Sequence, residues 1–245
     1  MCYQTRQIRT VKDLELRFSV GLVNEDYRPV FDKPAYHLNG FAHPNMLVIP
    51  QDKSDALAPG VWGIVPDNKQ PDEVKDYYKE SVRYGSGLNA QSEKLFNHFI
   101  YRNVALTQRC LIPVSGFFEP HHHLKKSYPY YIHRQDDDTM AMAGIYTVIG
   151  TYLTFAILTR EASPILAEIH NKRKREPVLL PQSVEKDWLL PDLSQNDVME
   201  LVNTPYNYDS LETYTVSKDV HNARVDSNRP DIVDRVDYPE LQKLF

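Results

Sequence analysis

Residue 2 is where this chain can do the most chemistry. Met1 is followed by Cys2, and removal of Met1 would make Cys2 the N-terminus. A terminal cysteine carries a thiol and a free α-amine on adjacent carbons. The amine titrates at roughly 7.7–8.0 and the thiol at about 8.5, so both keep a reactive fraction near neutrality. Such a nucleophile can use its own amine as the base. A 1,2-aminothiol can also condense with an aldehyde, first to a Schiff base and then to a five-membered thiazolidine. On the dipeptide alone, Cys2 reads better as an ordinary small residue, so the rest of the chain must supply partners.

Three polar residues stand where such partners would. Glu119 closes the apolar run Gly116-Phe117-Phe118. Turned inward, its pKa would rise and it could act as a general acid or base; turned outward, it is a surface carboxylate. His170 ends a segment that opens on Ser163-Pro164. It is either a proton shuttle or a residue satisfying a helix end. Asn89, in Gly87-Leu88-Asn89-Ala90, could donate to an oxyanion or orient an amine, and could equally be a turn residue. The run Lys172-Arg173-Lys174-Arg175 could hold phosphates or be a solvated loop. Trp62, Tyr84, Tyr101 and Phe117 could stack on bases or belong to the core. His121-His122-His123 with His133 has no cysteine or carboxylate at matching spacing, so no metal site is read from it.

The elements that must position these residues follow from periodicity. Val11, Leu14 and Phe18 give residues 11–20 a helical stripe, and 24–45 reads as loop, with Pro29, Pro34 and Pro44 as breakers. Short apolar runs at 46–49 and 61–65 predict strands, and helices are predicted over 72–82 and 92–103. Strands are expected at 109–119, 128–134, 139–148 and 152–159. Ser163 then caps a helix with proline at its first position. A strand at 178–180, helices after Ser183 and Ser194, and a strand at 211–217 complete the pattern, leaving 218–245 as a largely polar tail. No repeat or linker is visible. The expectation is one α+β domain over 1–245, built on a mainly antiparallel, curved, barrel-like β-sheet with peripheral helices.

The chain has 245 residues, 17 prolines against 9 glycines, and a net charge of −5. This is a globular composition, and the charge argues against a uniformly basic nucleic-acid surface while leaving room for a local basic groove. The only cysteines are Cys2 and Cys110. With no leader before Cys2 and no membrane-length apolar run, the expected setting is cytoplasmic and reducing, and the protein a monomer. Cys110, in Arg109-Cys110-Leu111-Ile112-Pro113, reads as a buried strand residue.

Taken in order, these pieces resemble the SOS response-associated peptidase (SRAP) family. The resemblance runs through Met1-Cys2, Trp62-Gly63-Ile64-Val65-Pro66, Asn89-Ala90 with Glu93, and Arg109 to Pro113. It continues through Gly116-Phe117-Phe118-Glu119, Ile169-His170, Glu176-Pro177-Val178, and Val216-Ser217 with Val220. It implies that Met1 is removed, in part by the protein itself, and that Cys2 then captures the aldehyde of an abasic site in single-stranded DNA as a thiazolidine. This would be a DNA-damage response enzyme, nucleoid-associated when bound to DNA, with no metal or organic cofactor. Asn89 would position the α-amine, Glu119 would shuttle protons, and His170 would protonate the sugar ring oxygen to open it. Trp62, Arg102, Lys172 and Arg173 would contact DNA.

The chain departs from the family pattern at Tyr3 and Gln4 (commonly Gly-Arg), at Gln91 (arginine) and at Pro120 (tryptophan). Two expected phosphate-binding arginines are thus missing, while each reacting group is present. Two other activities stay open on the sequence: a single-stranded DNA binder without chemistry, and a thiol peptidase acting on other proteins. The latter would need an internal cysteine paired with a histidine, which only Cys110 could supply.

Overall fold

The computed structural model describes residues 2–241. Met1, whose removal is expected above, and 242–245 of the expected tail lie outside the described residues. Strand β1 (Gln4–Gln7) leads into helix α1 (Val11–Phe18), β2 (Gly21–Leu22), α2 (Arg28–Phe31) and β3 (Ala35–Asn39). Next come β4 (Asn45–Pro50), β5 (Ala56–Trp62), α3 (Val74–Ser81) and β6 (Asn89–Gln91). Long strands follow: β7 (Arg109–Val114), β8 (Gly116–His123), β9 (Lys126–Arg134), β10 (Met140–Ile149) and β11 (Tyr152–Glu161). The chain then forms α4 (Pro164–Ile169), β12 (Arg175–Pro177), β13 (Leu179–Leu180), α5 (Glu185–Trp188), α6 (Gln195–Val202) and β14 (Leu211–Thr215).

These strands make two sheets. One runs β14-β9-β8-β1-β3 and is antiparallel throughout. The other runs β12-β11-β10-β7-β4-β5-β2, and β5 also pairs with β11 in parallel, through Val61 with Thr154 and Trp62 with Phe155. That pairing closes β11, β10, β7, β4 and β5 on themselves, so the fold is α+β around a barrel-like sheet, as expected from the strand pattern. Both strand faces are covered. Leu47, Ile49, Leu111, Ala143 and Ala156 face one buried cluster. Met46, Val48, Cys110, Ile112 and Ile157, one residue out of phase, face the other. Burial on both faces explains why these strands read as nearly continuous apolar runs. Helix α1 begins as its sequence suggests, with Thr10 and Asp13 forming a capping box and Val11, Leu14 and Phe18 buried.

Several expectations need correction. The run 109–119 is two strands in different sheets, broken at Ser115. The corner is pinned on several sides: the Ser115 amide donates to Arg6 O at 2.7 Å and the Tyr131 hydroxyl to Ser115 O at 3.2 Å. A Cβ on Gly116 would fall 2.4 Å from the Tyr131 hydroxyl, so only glycine fits. Residues 92–103 form a 3-10 turn (Ser92–Lys94) and successive turns rather than one helix. Asn97, His98 and Phe99 are weak helix formers, and His98 Nδ1 takes the Ile100 amide at 3.3 Å, diverting it from a helical bond. The expected loop 24–45 contains α2 and β3, and Asn89 lies on a strand, not a turn. The tail is polar but docked: Val220 and Ile232 are buried with Phe118, Tyr131 and Val216. Among the described residues no helix is long and apolar enough to cross a membrane.

Arg109 ties the corner strand to the helical side. Its buried guanidinium donates to the carbonyls of Ala105, Leu106, Trp188 and Leu190, with no carboxylate partner among the described residues. Replacing Arg109 with alanine leaves these carbonyls without their donor. Urea denaturation should show a loss of about 3–5 kcal/mol, in the range of broken buried networks.

Candidate active site at the N-terminus

Strand β1 delivers Cys2. It lies between β3 and β8, with Gln4 opposite Phe118 and Thr5 opposite Phe117. Continued outward, that register sets Tyr3 and Cys2 beside Glu119 and Pro120. The Tyr3 carbonyl accepts from the Gly40 amide at 2.8 Å, extending the hold beyond the strand. Cys2 is fully buried among Met46, Trp62, Leu88 and Ile112, with its thiol 3.7 Å from the Gln4 carbonyl. Burial, followed by the charge of Glu119, raises the thiol well above its ordinary value.

Asn89 reaches Cys2 from β6. That strand pairs in parallel with β11, Asn89 facing Ile157, which fixes the backbone. The Asn89 Nδ2 donates to the Cys2 carbonyl at 2.9 Å, leaving Oδ1 buried without a hydrogen-bond partner among the described residues. Two aromatic residues hold the asparagine in place. The Tyr101 hydroxyl donates to Asn89 O at 3.3 Å, and the Trp62 indole donates to Leu88 O at 2.9 Å. This corrects the expectation for Trp62. Enclosed completely and stacked against Phe155, it has no ring face to offer DNA and instead sets the backbone one residue before Asn89.

Glu119 and His170 meet in the same place from two other elements. Glu119 sits on β8 just past the corner, 2 % exposed, and burial raises its carboxyl to about 7. His170 caps the C-terminus of α4, its Nδ1 3.5 Å from Glu119 Oε2. The same Nδ1 lies 2.8 Å from the Arg175 carbonyl. A carbonyl only accepts, so Nδ1 carries the hydrogen and Nε2 the lone pair of a neutral ring. Burial lowers the imidazole to about 4, in keeping with that neutral form.

A residue that sequence reasoning did not single out holds this pair together. The Asn171 amide bridges strand and loop as a neighbouring strand would. Its Oδ1 accepts from the His122 amide at 3.0 Å and its Nδ2 donates to the His122 carbonyl at 2.8 Å. His121 adds an Nδ1 contact to the Glu168 carbonyl at 3.0 Å. The end of α4 is thereby fastened to β8 three residues beyond Glu119. The other end of α4 is held by Glu176, whose Oε2 accepts from the Ser163 amide at 2.9 Å. Glu176 Oε1 takes Arg160 Nε at 2.8 Å and the Tyr208 hydroxyl. The only sequence signal for Asn171 was its place next to His170.

The basic residues divide. Lys172 and Arg173 are exposed on the loop between His170 and β12, and Arg102 is exposed after β6. Arg173 lies near enough that its charge opposes the upward shift burial gives Tyr3. Arg175 is committed elsewhere, to both oxygens of Glu93 and to Thr159 O at 2.7 Å. Gln4 is also engaged, donating to the Val220 carbonyl at 2.8 Å. Beside the N-terminus a cavity of about 330 Å³ opens between Tyr3, Phe41, Pro120, Ser127, His122 and His221. Cys110 is buried in β7 and burial raises its thiol strongly, so it presents no accessible peptidase nucleophile. His133 lies apart from this centre, between Asp137 and Glu212 at 3.2 and 3.3 Å. Among the described residues no group of three His, Cys, Asp or Glu side chains is arranged to hold a metal ion.

Residues 1–223 match the family model "SOS response associated peptidase (SRAP)". Abasic site processing protein YoaM of Bacillus subtilis is 28% identical over 226 residues, 86% of this chain and 94% of that protein. Abasic site processing protein YoqW of the same bacterium is 29% identical over 197 residues, covering 78% and 82%. A crystal structure of a protein from Bacteroides thetaiotaomicron superposes with a TM-score of 0.83 at 26% identity, over 96% of this chain and 100% of that one.

Nitrogen-15 NMR of imidazole-labelled protein should find His170 as the neutral Nδ1–H tautomer near neutral pH, protonating only toward pH 4. An Nε2–H tautomer, or titration near the ordinary histidine value of about 6.5, would contradict the bond to Arg175 O. Asn171→Ala should cost about 1–2 kcal/mol in thermal unfolding, the scale of two lost backbone partners.

Proposed function

The chain belongs to the SOS response associated peptidase (SRAP) family, and from that premise we propose that it processes abasic sites in single-stranded DNA by bonding covalently to them through Cys2. The observation that carries this reading is the convergence of Cys2, Asn89, Glu119 and His170 from four separate elements onto one centre. The names of its relatives, abasic site processing proteins, point to the same substrate.

The chemistry begins with the amine. While Met1 is attached, the Cys2 nitrogen is an amide and cannot form an imine, so hydrolysis of the Met1–Cys2 bond comes first. The freed amine adds to C1′ of the ring-opened abasic sugar, and loss of one water gives the Schiff base. The thiol then adds to the imine carbon and its proton passes to the ring nitrogen, with nothing further lost. A thiol held protonated by burial suits this order, because it leaves the amine to react before the sulfur does.

The proton traffic falls mainly to Glu119. With its carboxyl pushed to about 7, both forms coexist near neutrality, and it can donate to the departing hydroxyl and later accept. His170 is expected from the family resemblance to protonate the sugar ring oxygen. A neutral ring with Nδ1–H fixed on Arg175 O is instead suited to accept a proton at Nε2, while Glu119 stands on the Nδ1 side, 3.5 Å away. Asn89 holds the Cys2 carbonyl, and its Oδ1 is available as an acceptor for an amine hydrogen.

Intact-protein mass spectrometry with an abasic single-stranded oligonucleotide tests the reading. The expected result is a starting mass lacking Met1 and a gain equal to the oligonucleotide minus one water. A heat-stable adduct formed by Cys2→Ala protein would sink it. Glu119→Gln should slow adduct formation by about 10²–10⁴-fold, the usual worth of a general acid–base group. It should also remove the inflection near pH 7 that the wild-type rate shows as Glu119 titrates.

A further inference from the structure

The cavity lined by Tyr3, the residue after Cys2, has a feature that the covalent chemistry does not use. Its rim carries His122, from β8, and His221, from the docked tail. His122 is held rigidly through its backbone by Asn171, and its Nδ1 is buried without a hydrogen-bond partner among the described residues. His221 follows Val220, whose carbonyl is tied to Gln4, so the tail cannot drift from the rim. Tyr3 and Phe41 line the same cavity, their rings 5.0 Å apart. An aromatic floor with nitrogen donors at its edge suits a nucleotide, with the base on the rings and the phosphate at the imidazoles.

We propose that His122 and His221 form a proton-coupled seat for a backbone phosphate of single-stranded DNA next to the abasic sugar; this rests on the function proposed above. The surrounding charges favour an anion there. Lys172 and His121 act on His122, and His170 lies beyond Asn171. His221 faces His122 and His37, and the nearby Asp219 carboxylate is taken by Arg229 at 2.6 Å. His37 is itself buried on Ser227 at 2.7 Å and held low, to about 4, so it stays neutral. Desolvation first, and then these cationic or imidazole neighbours, lower both His122 and His221, leaving the empty seat largely uncharged at neutral pH. A phosphate stabilises the protonated rings, so binding draws protons from solution and DNA affinity increases as pH falls.

Anisotropy of a rhodamine-labelled intact single strand, measured with the full chain, tests the seat. From about pH 7.5 to about pH 5.5, wild-type affinity should rise at least about tenfold, since one fully linked proton gives tenfold per unit. The salt dependence at the lower pH should steepen by about 1.4 in slope, two added phosphate-neutralising charges at about 0.7 each for a single strand. The His122→Gln/His221→Gln protein should lose most of both effects. If it keeps the wild-type pH and salt dependence, the seat is wrong. Should that variant fail to fold, His122→Lys/His221→Lys should bind near pH 7.5 as tightly as wild type does near pH 5.5. Unchanged affinity there overturns the proposal equally. The same samples, mixed with an abasic strand and weighed, separate the two ideas. Normal pH-linked binding with no wild-type adduct removes the covalent reading alone, whereas an adduct with unaltered pH linkage in the variants removes the seat alone.

Discussion

The insertion of β1 between β3 and β8 is the constraint on which the rest of this structure depends. A chain terminus is normally frayed, because nothing beyond it shares the entropy of ordering it. Here Gln4 and Thr5 are paired on both sides, Arg6 and Gln7 on one side each, and the Tyr3 carbonyl carries the hold to the residue next to Cys2. Ordering Cys2 is thereby completed during folding, before any substrate arrives. Glu119 sits on the partner strand, so the same register that seats the cysteine also sets its distance from this carboxyl.

The corner at Ser115 makes this possible. A strand kept in one sheet would carry Glu119 along the barrel wall and away from β1. By breaking after Val114, the chain spends its first half closing the barrel beside β10 and its second half pairing with β1. The glycine that permits the turn is required by the Tyr131 hydroxyl, which also bonds the corner carbonyl. The charge states follow from the same packing. Enclosure raises Glu119 and the Cys2 thiol while lowering His170, so near neutrality the thiol and imidazole are uncharged and the carboxyl is divided between its two forms.

Much of this was legible in the sequence, and the failures have physical causes. The long strands, the capped starts of α1, α4 and α6 and the α+β class follow from local pattern. The four residues at the centre stood out only as an ordered set of motifs. Individually, Asn89 and Glu119 looked like turn and surface residues, since nothing local reveals that β6 lies beside β11 or that β8 turns inward. Trp62 was read as a base-stacking residue because exposure cannot be seen in a strand whose both faces are covered. Asn171 was invisible because its role is to imitate a strand for β8, a contact between positions far apart in the chain. The break inside 92–103 hinged on one histidine nitrogen capturing an amide.

The departures from the family pattern make sense as a connected set. Gln4, in place of an arginine, is no bare loss of charge, because its amide fastens Val220 and so brings His221 to the rim of the cavity. Pro120, in place of a tryptophan, lines the same cavity. The same economy holds for Arg175, whose guanidinium closes on Glu93 and Thr159 and so joins β12 to the turn after β6, at some distance from any phosphate role. A fixed arginine attracts a phosphate at every pH, whereas an imidazole does so only when a proton is available. On the function proposed above, the exchange would trade constant DNA affinity for affinity set by the surroundings, while Cys2, Asn89, Glu119 and His170 keep their places.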